Sequence, residues 1–81
     1  MIDFHQVMQR VKLVLSTKIN KNKIYDKDIA IALHINPQNY AVIKRRTKIP
    51  FEEIAYFSKK HHINMTWLLF GQAPKHLKPL D

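Results

Sequence analysis

The sequence predicts an all-α protein, a compact bundle of five helices joined by short loops. Apolar residues recur at helical spacing in several segments, and no segment alternates apolar and polar residues as a half-buried strand does. The chain has 81 residues and one glycine, and the Asn-Gly and Asp-Gly turns typical of β-hairpins do not occur in it. Its length and 46% apolar content allow one domain, expected over residues 1–72, with a tail over residues 73–81.

The first two helices are predicted from capping patterns and apolar spacing. Asp3 followed by Gln6 is a capping-box pattern, and Ile2 and Val7 stand where a hydrophobic staple would close the same helix start. Helix one is therefore expected to run from about Asp3 to Thr17. Asp26 is the predicted N-cap of a short second helix. The inward-facing residues of this second helix are predicted to be Ile29, Ala30 and Leu33.

The segment His34-Ile35-Asn36-Pro37 interrupts a good helical pattern. A residue that precedes proline is pushed out of the α region, and the Asn36 side chain can cap the next helix from that conformation. Proline suits the first helical position, so helix three is predicted to begin at Asn36-Pro37. Two short helices joined within about three residues meet at a sharp angle, as in a helix-turn-helix. His34 is expected at the positive-φ position of this turn, where glycine is usual.

The last two helices follow from the remaining caps and apolar residues. Pro50 is expected near the first position of helix four, and Asn64 is expected to cap helix five, which Gly71 ends. The buried residues of these helices are predicted to be Phe51, Ile54, Ala55 and Phe57 in helix four and Trp67 and Leu68 in helix five. Residues 72–81, which include Pro74 and Pro79, are expected to form an unfixed tail.

The charge distribution indicates a polyanionic partner. Fourteen Lys and Arg against six Asp and Glu give a net charge of +8. Self-repulsion on this scale destabilises a small fold, and binding to nucleic acid is a common reason for it. Between residues 18 and 48 the cations are opposed only by Asp26 and Asp28. These cations are Lys18, Lys21, Lys23, Lys27, Lys44, Arg45, Arg46 and Lys48.

Helix three is predicted to present an outward face suited to the DNA major groove. At about 100° per residue, Tyr40 and Ile43 face the core. The residues expected to face outward are Gln38, Ala41, Val42 and Arg45. Amides and methyl groups can contact base edges, while Lys and Arg bind phosphate.

Two stretches together resemble a known group of proteins. "DIAIALHINPQNYAVIKRR" followed by "KIPFEEIAYFSKKHHINMTWLLFG" is similar to the lambda-repressor-like helix-turn-helix superfamily, and within it to bacteriophage repressor N-terminal domains. The resemblance implies base-edge contacts from Gln38, Ala41 and Val42. It implies phosphate contacts from Asn39, Lys44, Arg45, Arg46 and Lys48. Repressors of this group often carry a C-terminal self-cleaving, dimerising domain, so two alternatives stay open. The chain is either the N-terminal domain of a longer repressor or a short protein that dimerises through its own helices or tail.

The function expected from these features is sequence-specific binding of double-stranded DNA by a homodimer, as a transcriptional regulator of phage or prophage type. One alternative is an antitoxin-like module that mainly contacts a protein partner and binds DNA for autoregulation. An apolar patch on helix five or the tail would favour that alternative. Another is charge-driven nucleic-acid or RNA binding without sequence preference.

Other classes of function are not expected. The chain has no cysteine, its adjacent His61 and His62 would point about 100° apart on a helix, and no carboxylate stands at ligand spacing from them, so no metal site or cofactor is expected. Ser16, Ser58 and the histidines form no nucleophile-and-base pattern, so an enzyme is not expected either. With no apolar run long enough for a membrane span and no signal-peptide pattern, the expected location is the cytoplasm.

Overall fold

The computed structural model describes residues 1–19, 22–72 and 74–76. Over these residues the chain forms α-helices and no strand, which confirms the all-α class and the predicted number of helices. The five helices are α1 (Phe4–Lys18), α2 (Asp26–Ala32), α3 (Pro37–Arg46), α4 (Phe51–His61) and α5 (Met65–Phe70). No described helix is both long and apolar enough to cross a membrane.

Helix α1 contributes more core residues than any other described helix. Its N-cap is Asp3, whose Oδ1 accepts a hydrogen bond from the Gln6 backbone N–H at 3.0 Å, as the sequence predicts. One stripe of α1 is buried, and α1 contacts both α2 and α5. The buried residues of α1 are Phe4, Val7, Met8, Val11, Val14 and Leu15. The rest of the described core comprises Ile29, Ala30, Leu33, Tyr40, Ile54, Phe57, Ile63 and Leu68.

A side chain of α1 also holds the end of α5. Arg10 Nη1 donates to the Leu68 backbone carbonyl at 3.0 Å, so a cation satisfies a carbonyl in the last turn of α5. Gly71 then ends α5 with φ +77° and its N–H donates to Trp67 O. A Cβ on Gly71 would lie 2.7 Å from Arg10 Nη2. The chain therefore uses its one glycine where a left-handed backbone and a close side chain coincide.

Three other helices end on left-handed residues that carry a side chain. His34 after α2, Thr47 after α3 and His62 after α4 have φ of 57°, 52° and 54°. At each end the following N–H reaches back to a carbonyl five residues earlier, as Ile35 N–H does to Ala30 O at 2.8 Å. The positive φ predicted for His34 is thus confirmed, whereas the sequence did not indicate Thr47 or His62.

The start of α2 differs from the expectation. The predicted N-cap, Asp26, is the first residue of the helix, and Tyr25 is its N-cap. Asp28 Oδ2 accepts the Tyr25 backbone N–H at 2.9 Å. A carboxylate that reaches back from the third helical position can fix a helix start without a capping side chain at the N-cap itself, so the prediction for Asp26 was one residue late.

Two of the four residues predicted to be buried in α4 are exposed. The helix begins at Phe51, and Pro50, which was expected near the first position, is its N-cap. Ile54 and Phe57 are buried as predicted, but Phe51 is 49% exposed and Ala55 is exposed. The inward face is completed by Ser58, whose Oγ donates to Ile54 O at 2.8 Å. A hydroxyl satisfied in this way can be buried. Phe51 lies on nearly the same side of α4 as Ser58 but is the first residue of the helix, and Ala55 lies beside the buried stripe.

The segment after α5 is partly fixed. Asn64 caps α5 by accepting from Thr66 N–H at 3.0 Å, as predicted. Its own backbone N–H donates to Lys75 O at 2.8 Å, and its Nδ2 donates to Pro74 O at 2.9 Å. The expectation of an unfixed tail is therefore wrong for residues 74–76, while residues 73 and 77–81 lie outside the described part of the chain.

The two predicted anchors of α5 differ in burial. Leu68 is fully buried, as expected. Trp67 is half-buried at the edge of the core, and Lys75 Nζ lies over its ring, 5.2 Å from the centroid. Trp67 thus joins the described tail segment to the core edge, whereas Leu68 fills the core itself.

Candidate nucleic-acid interface

The connection between α2 and α3 consists of residues 33–36, and the two helices contact each other directly. Asn36 ends this connection in an extended conformation, with φ −57° and ψ 133°. Its Oδ1 accepts the Gln38 backbone N–H at 2.8 Å, and Pro37 occupies the first helical position. The Asn36-Pro37 start predicted for α3 is therefore confirmed.

The orientation of α3 is set by the residues it buries. Tyr40 is buried and packs near Phe4, with ring centroids 6.3 Å apart, and Ile43 is half-buried against the core. Because residues advance by about 100° on a helix, this turns the opposite face outward. Gln38 and Ala41 are exposed there, and Val42 is half-buried at the same face.

The Tyr40 hydroxyl takes no part in acid–base chemistry near neutral pH. Burial, and secondarily the negative charge of Asp26, raise the pKa of Tyr40 to about 12. The side chain is therefore uncharged and contributes to packing. It keeps α3 seated on α1 and α2 while the outward face stays open to solvent.

The residues for which phosphate contacts are expected surround this face. Arg45 continues the outward face, Asn39 and Arg46 lie on one flank, and Lys44 lies on the other. Lys48 follows the helix, and its backbone N–H donates to Ile43 O at 3.0 Å. All five side chains are exposed, so the structure brings every predicted contact residue except the half-buried Val42 to open surface.

Lys44 has a partner that sequence reasoning did not identify. Its Nζ lies 2.7 Å from Asp26 Oδ2, and the two side chains are 45% and 49% exposed. A pair this exposed contributes only about 0.2 to 1 kcal/mol. It links α2 to α3, and it offsets the charge of one of the cations. The pairing could not be read from local spacing, because Asp26 and Lys44 are separated by 18 positions.

The remaining cations give this surface a net positive charge. Within the described part of the chain, Arg45, Arg46 and Lys48 form no ion pair with a carboxylate. They follow the exposed amide and methyl groups of Gln38 and Ala41 along α3. The arrangement can place short groups against base edges while cations contact the flanking phosphates.

Metal binding and a protein-binding patch make different demands on the described residues. They contain no group of three His, Cys, Asp or Glu arranged to hold a metal ion. The antitoxin-like alternative would be favoured by an apolar patch on α5 or the tail. The large apolar side chain that is exposed there, among the described residues, is Phe70, which is 54% exposed. Comparisons with protein-family models, curated proteins and solved structures gave no match for this chain.

Proposed function

We propose that this protein is a sequence-specific double-stranded DNA-binding transcriptional regulator of phage or prophage repressor type, with α2 and α3 acting as a helix-turn-helix. The observation that carries the proposal is the outward face of α3. Gln38 and Ala41 are exposed in its N-terminal half, and the cations Arg45 and Arg46 follow them. In this mode of recognition, the N-terminal residues of the second helix contact base edges in the major groove.

The proposed mechanism is binding without covalent chemistry. Gln38 would donate and accept hydrogen bonds at a base edge, and the methyl groups of Ala41 and Val42 would contact thymine methyls. Asn39, Lys44, Arg45, Arg46 and Lys48 would fix the helix by contacts with phosphate. A homodimer would place two copies of α3 about 34 Å apart on a near-palindromic operator. Occupancy would then block or redirect RNA polymerase.

Selection of bound fragments from a random duplex library tests the proposal directly. We expect an enriched, near-palindromic consensus bound at least about a thousandfold more tightly than scrambled duplex. Sedimentation of the complex should give two chains per site. Equal affinity for selected and scrambled duplexes would contradict the proposal, since only the electrostatic contribution would then remain.

Two substitutions separate the proposed roles. Gln38→Ala should cost about 1 to 3 kcal/mol on the selected site and little on random DNA, because it removes a base contact. Lys48→Ala should weaken binding to both duplexes similarly and reduce the salt slope by about one unit. Gln9→Ala, at an exposed glutamine of α1, is the matched control for the first variant. If the Gln38 and Lys48 variants behave alike on both duplexes, the division of roles is wrong.

A further inference from the structure

A second surface lies between the C-terminal ends of α2 and α4. Two adjoining cavities there have volumes of about 400 and 570 Å³. Both are lined by Ala32, His34 and Lys60, so they form one continuous groove. The C-terminal end of α1, through Leu15 and Lys18, closes one side of this groove. We call it the α2–α4 groove.

The floor of the α2–α4 groove is apolar and open to solvent. Ile31 and Tyr56 line its two halves, and each is 66% exposed. Ala32 and Phe57 continue the apolar lining between them. A single exposed apolar side chain on a protein surface is ordinary, but apolar side chains grouped in a concavity are typical of binding sites.

The rim of the α2–α4 groove is cationic. Lys18, Lys59 and Lys60 line it from the ends of α1 and α4. Among the described residues of the lining, the one carboxylate is Asp28, and its Oδ2 also accepts the Tyr25 backbone N–H. Three cations therefore face one carboxylate, which favours an anionic ligand.

The positive charge of the rim affects the protonation of the His61 imidazole. Its ring lies 4.5 Å from the ring of Phe57, at the wall of the groove. Burial, and then the charges of Lys18 and Lys60, lower the pKa of His61. Two lysines from different helices thus act on the same point of the groove.

We propose that the α2–α4 groove binds an acidic amphipathic helix of a partner protein. Apolar side chains on one face of that helix would cover Ile31 and Tyr56, and carboxylates along its edges would pair with the lysine rim, as in helix-in-groove recognition. A second copy of this chain is a poor occupant of the groove, because pairing the groove with itself would oppose two lysine rims. Nucleic acid would satisfy the rim, but its sugar–phosphate chains and base edges are mostly polar and would cover Ile31 less well than apolar side chains of a helix. The proposal extends beyond DNA binding and does not depend on it.

Titration of the ¹⁵N-labelled full chain with a designed peptide tests this proposal. The probe is an amphipathic peptide of Leu, Ala and Glu with leucines at helical spacing, and its control is a scrambled peptide of the same composition. We expect saturable amide shifts centred on Ile31, His34, Tyr56 and Lys60. The affinity should exceed that of the scrambled peptide by at least about tenfold. Equal affinities, or shifts centred on α3, would overturn the proposal.

Variants of exposed residues test the floor and the rim separately. Ile31→Ser and Tyr56→Ser should each weaken peptide binding about fivefold or more, whereas Leu13→Ser, at an apolar residue of α1 that is 54% exposed, should not. Lys60→Gln should weaken peptide binding more than Lys27→Gln, which changes a lysine outside the lining. Equal effects of the groove variants and their control, in either the apolar or the lysine comparison, would contradict the groove.

Two further measurements distinguish this site from the DNA surface. Gln38→Ala should leave peptide binding unchanged, so failure of the DNA proposal does not remove this one. A single-stranded oligonucleotide should not displace the peptide from Ile31 and Tyr56. Displacement, with shifts at the same amides, would show a nucleic-acid site in the groove and refute the proposal.

Discussion

Replacement of Gly71 by alanine should destabilise the protein by an amount that the structure allows us to divide into two parts. The first is backbone strain, because Gly71 has φ +77° and an L-residue pays about 1 to 2 kcal/mol in the left-handed region. The second arises from Arg10, whose Nη2 would lie 2.7 Å from the new Cβ. The guanidinium can move away, but it then gives up its 3.0 Å hydrogen bond to Leu68 O.

The second part is estimated from the strength of that hydrogen bond. A bond from a charged donor contributes about 1.5 to 3 kcal/mol, and partial exposure of Arg10 places it near the lower end. Gly71→Ala should therefore cost about 2.5 to 3.5 kcal/mol in total. In an Arg10→Ala background the same change should cost only the strain, about 1 to 2 kcal/mol.

Urea denaturation followed by far-UV circular dichroism measures all four proteins of this double-mutant cycle. Gln72→Ala, one position along the chain at an exposed residue, is the control and should change stability by less than about 0.5 kcal/mol. An equal cost of Gly71→Ala with and without Arg10 would refute the contact. A cost below about 0.5 kcal/mol would refute the left-handed end of α5 itself.

Three further outcomes follow from the described contacts. Asp26→Asn frees Lys44 and should raise DNA affinity at low salt about 1.4- to 5-fold, measured by fluorescence anisotropy, and the gain should vanish in a Lys44→Ala background. The pKa of His61 is lowered in the fold from its ordinary 6.5, so the unfolded chain binds this proton more tightly. The free energy of unfolding that depends on uncharged His61 is present above about pH 6.5 and is lost as the pH falls towards the lowered pKa. Urea midpoints should therefore fall less over this pH range for His61→Gln than for the parent chain. Parallel profiles of the two proteins would contradict this. Asn36→Ala removes the cap oxygen of α3 and should cost about 1 kcal/mol in urea denaturation, while Asn36→Asp should keep most of it; equal losses would show that the oxygen is not responsible.

The parts of the fold that could be predicted are those decided by neighbouring residues. The caps by Asp3, Asn36 and Asn64 each depend on a side chain and an amide two or three positions away. The burial of Tyr40 follows in the same way from its spacing relative to Ile43 on α3. Local rules of this kind located the start of every described helix to within about one residue.

The remaining features depend on residues that are distant in sequence. The Asp26–Lys44 pair requires α2 and α3 to be packed together, and the α2–α4 groove requires three helix ends to meet. The burial of α4 was misjudged because hydrophobicity alone favoured Phe51, which lies exposed at the start of the helix, and did not indicate Ser58, whose buried hydroxyl is satisfied by its own helix. Tertiary packing decides such cases, and spacing along the chain does not carry that information.

The three helix ends at His34, Thr47 and His62 bear on how this chain tolerates mutation. At each end the residue has a positive φ, which glycine would adopt with less strain. Thr47 is β-branched, so its backbone is the most strained of the three. The backbone could therefore support a more stable sequence than the present one. Most substitutions destabilise a fold, so changes on the outward face of α3 will be accepted more readily when strain elsewhere in the chain is relieved. Replacing His62, at the end of α4, by glycine would relieve the strain there and raise the free energy of unfolding without altering α3.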